Sequence, residues 1–334
     1  MGLQATVLGA GSWGTALAAQ LSRQGHAVTL WDRNRDRCVT LNETRRNPRY
    51  LTDVDLPDGL NATSDLAAAV GGAELVVPVV PSHALRAVLK ASVASLRTGV
   101  HLCCATKGIE EGTLLLMNQV IHEEVSPAVN AKVTILSGPS FARELALGLP
   151  TTFAIAGDEP EARFVAGAFH GGAVRAYHTH DVTGVCVGGS VKNVLAIACG
   201  ISDGLGMGLN ARAGLITRGL AEITRLAVAL GGEPLTMMGL AGMGDLVLTC
   251  TGDLSRNRRV GLALGQGRTL RSILTELGEV AEGVVTARSA YELGRKLGVD
   301  LPITEQVYQI VHEGKPAMDG FADLMDRGRK HELR

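Results

Sequence analysis

Aromatic residues are scarce in this 334-residue chain, with five Phe, four Tyr and two Trp. That leaves few of the stacking platforms on which single-stranded nucleic acids are held. An excess of charge of either sign is also missing, since 32 Lys and Arg stand against 33 Asp and Glu. With no block of like charge, neither nucleic acid nor an anionic lipid surface has an electrostatic footprint here. Cysteine is limited to Cys38, Cys103, Cys104, Cys186, Cys199 and Cys250. They lack C-x-x-C spacing and the density of a disulfide scaffold, which predicts reduced, buried thiols. Apolar runs such as Ala73 to Val80 fall far short of the roughly 18 residues of a membrane span. No basic stretch followed by an apolar one opens the chain as a signal peptide would. His178, His180 and Asp181 have no further cluster of ligands to complete a metal site, so no metal is expected. The absences together predict a cytoplasmic protein with a small-molecule partner, no nucleic acid and no membrane insertion.

Glycine, by contrast, is abundant at 42 residues, which predicts many tight turns and close backbone approaches. The length suits two domains. The first part alternates short β-branched runs with Ala-rich stretches, the pattern of a parallel sheet with crossover helices. Strands are expected at Ala5 to Leu8, Ala27 to Trp31, Glu74 to Val80, Val100 to Ala105, Val133 to Ser137, Thr152 to Ala156 and Val174 to Tyr177. After about Thr183, long Ala/Leu/Gly/Ile segments with helical period take over, such as Val185 to Ile201 and Arg212 to Leu230. The expected architecture is α/β: a Rossmann-type doubly wound sheet over 1–182 that binds a dinucleotide, then a mainly α-helical substrate and catalytic domain over 183–334.

The stretch VLGAGSWGTALA sets Gly9, Gly11 and Gly14 in G-x-G-x-x-G spacing, after a strand and before an apolar helix. Gly9 serves the tight turn, Gly11 lets backbone approach a pyrophosphate, and Gly14 lets helix and strand pack together. The helix N-terminus supplies N–H donors and a positive dipole end to the phosphates. The triplet alone is weak evidence, but Asp32 and Arg33 follow the second strand at the expected distance. They point in opposite directions, the carboxylate towards the ribose of NADH and the guanidinium towards the 2′-phosphate of NADPH, so the choice stays open.

Polar clusters fall at predicted strand ends: Pro81, Ser82 and His83; Thr106, Lys107 and Gly108; and Ser137, Gly138, Pro139 and Ser140. Open α/β sheets bind ligands at such ends. In the helical part, Lys192 and Asn193 interrupt the apolar segment GGSVKNVLAIACGI, where a buried lysine would be expensive without a purpose and the plain alternative is snorkelling to solvent. Ser255 reads as a helix N-cap with Arg256 and Asn257 in the first turn, an arrangement suited to a phosphate. A capped surface helix with Arg258 and Arg259 solvated would look the same.

GAGSWGTALA, PSHALR, ATKGIE, SGPSFARE, GGSVKNVLAIACGISDGLGMGLNARAGLITRGLAE and GLAGMGDLVLTCTGDLSRNRRVG, in that order, resemble the bacterial NAD(P)-dependent glycerol-3-phosphate dehydrogenases over essentially the whole chain. The resemblance implies a two-domain, often dimeric hydride-transfer enzyme that uses NADPH or NADH. It would interconvert dihydroxyacetone phosphate and sn-glycerol 3-phosphate for phospholipid synthesis. It also implies roles for residues: Lys192, Lys107 and Asp245 in catalysis, and Gly138, Ser140, Asn193, Thr249, Ser255, Arg256 and Asn257 around the substrate. Cofactor contacts are implied for Ser12, Trp13, Lys107, Ala142, Arg256, Val280 and Glu282, beside the glycines. The departures are small: Gly189, Ser190 and Val191 precede Lys192 where the family usually reads Ala-Leu-Lys, and Trp13 and Arg33 stand at variable positions.

That chemistry suits these residues. Reducing a ketone needs a proton at the oxygen that becomes an alkoxide, and a lysine whose pKa is brought near working pH by burial and by the charge of Lys107 can donate it. Asp245 would oppose that shift while fixing the lysine's orientation. Two other readings fit the residues: a two-domain hydroxy-acid dehydrogenase, and a non-catalytic NAD(P) sensor, for which an internal lysine would be superfluous.

Overall fold

A computed structural model describes residues 2–278 and 280–328 of the chain. Among these residues, eight strands form one sheet: β1 (Gln4–Leu8), β2 (Ala27–Trp31), β3 (Leu60–Thr63), β4 (Leu75–Pro78), β5 (His101–Cys104), β6 (Lys132–Ser137), β7 (Thr151–Ala156) and β8 (Val174–Thr179). Their order is β3-β2-β1-β4-β5-β6-β7-β8. The sequence pattern misses β3, because LNAT holds a single β-branched residue and forms an edge strand. The expected parallel sheet holds except at one pair, β6 and β7, which run antiparallel with Leu136 opposite Ile155. The connection between them holds only the short helix Ala142–Ala146, which packs on the helix Ser12–Arg23 and does not return the chain across the sheet.

Helices α1 (Ser12–Arg23), α2 (Arg35–Thr44), α3 (Leu66–Val70), α4 (Ser82–Ser92), α5 (Met117–Glu124), α6 (Ser126–Val129), α7 (Ala142–Ala146) and α8 (Glu159–Phe169) accompany the sheet. Beyond β8 the chain is helical: α9 (Val182–Gly204), α10 (Gly208–Ala229), α11 (Asp245–Thr251), α12 (Arg256–Gly265), α13 (Leu270–Leu277), α14 (Glu282–Leu297), α15 (Pro302–His312) and α16 (Ala317–Met325). One apolar core, with Leu17, Phe153 and Phe169, fills one face of the sheet. Another runs from the opposite face, through Leu85 and Ile121, into the helical half at Val191, Leu195 and Leu246. The two halves therefore share buried surface, and the residues at their junction are held by packing.

Helix α9 is the axis of the helical half. It is long and apolar enough to cross a membrane, yet its whole apolar window is buried inside the molecule. Asp181 caps it, accepting from Gly184 N at 2.8 Å and from Glu233 N at 2.9 Å. All six cysteines are free and buried, and burial pushes both the Cys103 and Cys104 thiols up to about 12. Helices α9 and α12 touch backbone to backbone: a Cβ on Gly200 would overlap the Arg258 carbonyl, and one on Gly261 the Ile197 carbonyl. Gly200→Ala should therefore destabilise the protein by about 1–3 kcal/mol through overpacking, read as a lower midpoint in urea unfolding with an unchanged slope. Arg258 is not solvated: it pairs with Asp203 at the end of α9, which also takes Arg212 of α10.

Candidate active site

The glycine loop leaves β1, which lies between β2 and β4 where the strand order reverses, the place at which open α/β sheets bind nucleotides. Gly9 has φ 120° and its N–H donates to Trp31 O at 2.9 Å, fastening the turn to the end of β2. A Cβ on Gly14 would overlap the Gly9 carbonyl, so strand and helix meet there in direct contact. Gly11, the N-cap of α1, faces open space within 4 Å, a cradle that a side chain would obstruct. The Nε1 of Trp13 is buried with no hydrogen-bond partner among the described residues. Bare helix N–H groups, the open cradle and the waiting indole donor fit a bound dinucleotide. At the end of β2, Asp32 is buried and Arg33 is exposed.

The polar centre of the molecule lies where α9 and α11 meet the ends of β5 and β6. Lys192 is only 5% exposed and Asp245 only 1%. Lys192 Nζ donates to Asp245 Oδ1 and, at 3.0 Å, to Thr249 Oγ1. Lys107 Nζ, in the loop after β5, donates to Asp245 Oδ2 at 3.0 Å, and Ser137 Oγ at the end of β6 lies 3.4 Å from the same oxygen. A π-helical turn, Leu240–Gly244, delivers Asp245 as the first residue of α11. One carboxylate thus faces two lysine side chains, an arrangement that would favour a neighbouring group bearing negative charge. Burial, aided by Lys107 and opposed by Asp245, lowers the Lys192 pKa to about 7. Burial would raise the Asp245 carboxyl, but the two lysines outweigh it and hold it below the usual carboxylate range.

Lys107 Nζ also lies 5.9 Å from the centroid of the Trp13 ring, which joins this centre to the glycine loop. Ser190, two residues before Lys192 on α9, fixes the Lys107 loop by accepting from Gly108 N at 3.0 Å and lying 2.9 Å from Gly108 O. Gly138 has φ 150°, and a Cβ there would come within 2.7 Å of Phe153 Cα, so the Gly-Pro-Ser loop lies flat on β7. The Ser140 hydroxyl donates to Gly138 O at 2.9 Å, and Ala142 opens α7. On the other side, Asn193 Oδ1 accepts from Asn257 Nδ2 at 2.9 Å, and Asn257 Oδ1 accepts from Gly283 N at 3.0 Å. This chain of amides links α9, α12 and α14. Ser255 caps α12, accepting from Arg258 N at 3.2 Å, and Arg256 stands half-buried in its first turn. Glu282, at the start of α14, accepts from Ser82 Oγ at 2.8 Å across the two halves, and burial raises its carboxyl against that bond. Val280 is 42% exposed just ahead of it. Motif spacing does not mark Asn47, Tyr50 and Arg37 near the glycine loop, because Arg37 comes from α2 and Asn47 and Tyr50 from the segment between α2 and β3.

A glycine cradle at the switch point of a parallel-dominated sheet, joined to a buried lysine–carboxylate centre supplied by a helical half, defines a two-domain nicotinamide-dinucleotide-dependent dehydrogenase. The models for the NAD-dependent glycerol-3-phosphate dehydrogenase N-terminus and C-terminus match residues 4–163 and 181–322, and the chain belongs to that family. It is 51% identical over 332 residues to glycerol-3-phosphate dehydrogenase [NAD(P)+] of an Anaeromyxobacter species, covering 99% of this chain and 100% of that one. Against the enzyme of the same name from a Geobacter species the identity is 52%, with 98% of both covered. The solved glycerol-3-phosphate dehydrogenase of Coxiella burnetii superposes with a TM-score of 0.93 at 39% identity, covering 98% of this chain and 99% of that one. The activity that goes with this membership is the interconversion of dihydroxyacetone phosphate and sn-glycerol 3-phosphate with NADH or NADPH.

Proposed function

We propose that Lys192 is the acid/base residue of this reaction, and that residues 1–182 hold the cofactor while 183–334 supply the substrate side. The nicotinamide, when bound, supplies the hydride to the ketone carbon and takes it back in oxidation. Lys192 hydrogen-bonds the ketone oxygen, stabilises the developing alkoxide and donates its proton; in oxidation the neutral amine takes the proton from the hydroxyl. Asp245 and Thr249 aim its Nζ, and Lys107 adds positive charge. The substrate phosphate falls to the N-terminus of α12, where Arg256, Asn257 and bare N–H groups converge under the Ser255 cap. Gly138, Ser140 and Asn193 complete the substrate wall. Ser12, Trp13, Ala142, Val280 and Glu282 border the cofactor, whose ribose meets Asp32 and Arg33. The observation that carries this reading is a fully buried lysine, brought to about 7 and fixed between a carboxylate and a hydroxyl.

The resemblance in sequence further supports a cytoplasmic homodimer whose product feeds phospholipid synthesis. The test is oxidation of NADPH and of NADH by the purified protein on adding dihydroxyacetone phosphate, with unphosphorylated dihydroxyacetone as control; turnover that ignores the phosphate would refute the reading. In the same assay Arg256→Ala is expected to lower kcat/KM for the phosphorylated ketone about 100-fold, the worth of a charge-assisted contact. It should lower the slow turnover of dihydroxyacetone far less.

A further inference from the structure

We propose that Arg37, by taking up the carboxylate of Asp32 and presenting its guanidinium at that corner, makes this chain select the phosphorylated dinucleotide, NADPH, over NADH. The proposal rests on the reading of the glycine loop as the cofactor site. In a sheet of this order the adenosine ribose lies at the carboxyl end of β2, where an acidic residue accepts hydrogen bonds from the ribose hydroxyls. Asp32 stands there, but both its oxygens are engaged: Oδ1 accepts from Asn34 N at 2.8 Å and Oδ2 from Arg37 Nη1 at 2.6 Å. The side chains of this pair are only 8% and 16% exposed. A bare carboxylate would repel a 2′-phosphate and welcome a 2′-hydroxyl. Paired in this way, its charge is offset and its repulsion of a 2′-phosphate weakened, while the same corner gains a guanidinium, which has five donors and a shape that matches a phosphate.

The position of Arg37 is set twice over. Its backbone N–H donates to the capping side chain of Asn34 at 2.8 Å. Its guanidinium lies 5.4 Å from the centroid of the Tyr50 ring, and that of Arg49 lies at the same distance. The fully buried Asn47 ties this arginine–tyrosine–arginine group to the cofactor loop. Its Nδ2 donates to Ala10 O and Thr15 Oγ1, both at 2.9 Å, while its Oδ1 accepts from Arg49 N at 3.1 Å and Tyr50 N at 3.0 Å. Exposed Arg33 adds a further cation beside the same strand end. The positive group is thus fastened to the loop that takes the diphosphate.

The experiment is calorimetric titration of the full chain with adenosine 2′,5′-bisphosphate and with AMP, repeated on Arg37→Ala, Arg37→Lys and Asp32→Asn. The wild type should bind the bisphosphate at least about tenfold more tightly, and Arg37→Ala should cut that ratio by at least about tenfold. Arg37→Lys and Asp32→Asn, which keep a cation at the corner, should retain the preference for the bisphosphate. The ratio of kcat/KM for NADPH to that for NADH should move with the binding ratio. Equal binding of the two nucleotides by the wild type, an unchanged ratio in Arg37→Ala, or loss of the preference in Asp32→Asn would overturn the proposal. Failure to turn over dihydroxyacetone phosphate with either cofactor would instead strike at the assigned reaction, and the nucleotide ratio would still report on Arg37.

Discussion

Lys192→Ala is expected to lower kcat for ketone reduction about 10³-fold while leaving cofactor affinity, followed by quenching of protein fluorescence, within about twofold. The loss falls on kcat because the proton and the charge stabilisation are needed most in the transition state. Lys192→Arg separates the two roles. A guanidinium keeps the positive charge but holds its proton throughout the working range, so it should recover at most part of the loss. The pH profile carries the sign. Burial brings the ammonium to about 7, so the proton donor for reduction is present below that value and vanishes above it. Reduction should therefore decline as pH rises through about 7, and oxidation, which needs the neutral amine, should decline as pH falls through it. Profiles of kcat/KM that turn near 10, as an ordinary lysine would, would remove Lys192 from this role even with the family secure.

The glycine loop could be read from sequence because all its parts are local: a strand, three glycines at fixed spacing and an apolar helix within the first 23 residues. The buried axis α9 showed itself through its apolar run, and Lys192 stood out against it. What composition and periodicity could not show was convergence. Lys107 and Asp245 are 138 residues apart, Lys192 and Asp245 are 53 apart, and no periodicity brings them together; only the resemblance of whole motifs pointed there. The antiparallel turn between β6 and β7 escaped for a related reason, since strand direction depends on where a connection packs, while strand composition is the same either way. The sequence leaves Arg258 open to a solvated reading because a run of arginines after an N-cap looks like any exposed helix. Its partner Asp203 comes from another helix, and their pairing follows from the close glycine contacts of α9 and α12. Arg37 hides likewise, four residues past the charged turn that draws attention.

Asp245→Ala should be the most damaging single change outside Lys192 itself. The carboxylate pairs with both Lys107 and the buried Lys192, and its attraction raises the Lys192 pKa against burial. Without it, burial and Lys107 act unopposed and Lys192 falls below about 7, so at neutral pH most molecules lack the proton that reduction requires. A fall of about 100-fold in kcat is expected, with the reduction profile displaced towards acid. Stability responds with a definite sign as well. The folded Asp245 carboxyl is held below its unfolded value, so its contribution is complete above the unfolded pKa and is lost as pH falls through the folded one. Removing one partner of a buried ion pair costs about 3–5 kcal/mol, an upper bound here because Lys192 can shed its proton. The difference in unfolding free energy between wild type and variant should therefore shrink towards zero as pH falls below 4, when measured by urea denaturation. Asp245→Asn keeps the shape and a hydrogen-bond acceptor but not the charge. If it behaves like alanine in both kinetics and stability, the charge of Asp245 holds the centre together; if it behaves like wild type, the hydrogen bonds alone suffice and the electrostatic account of Lys192 is wrong.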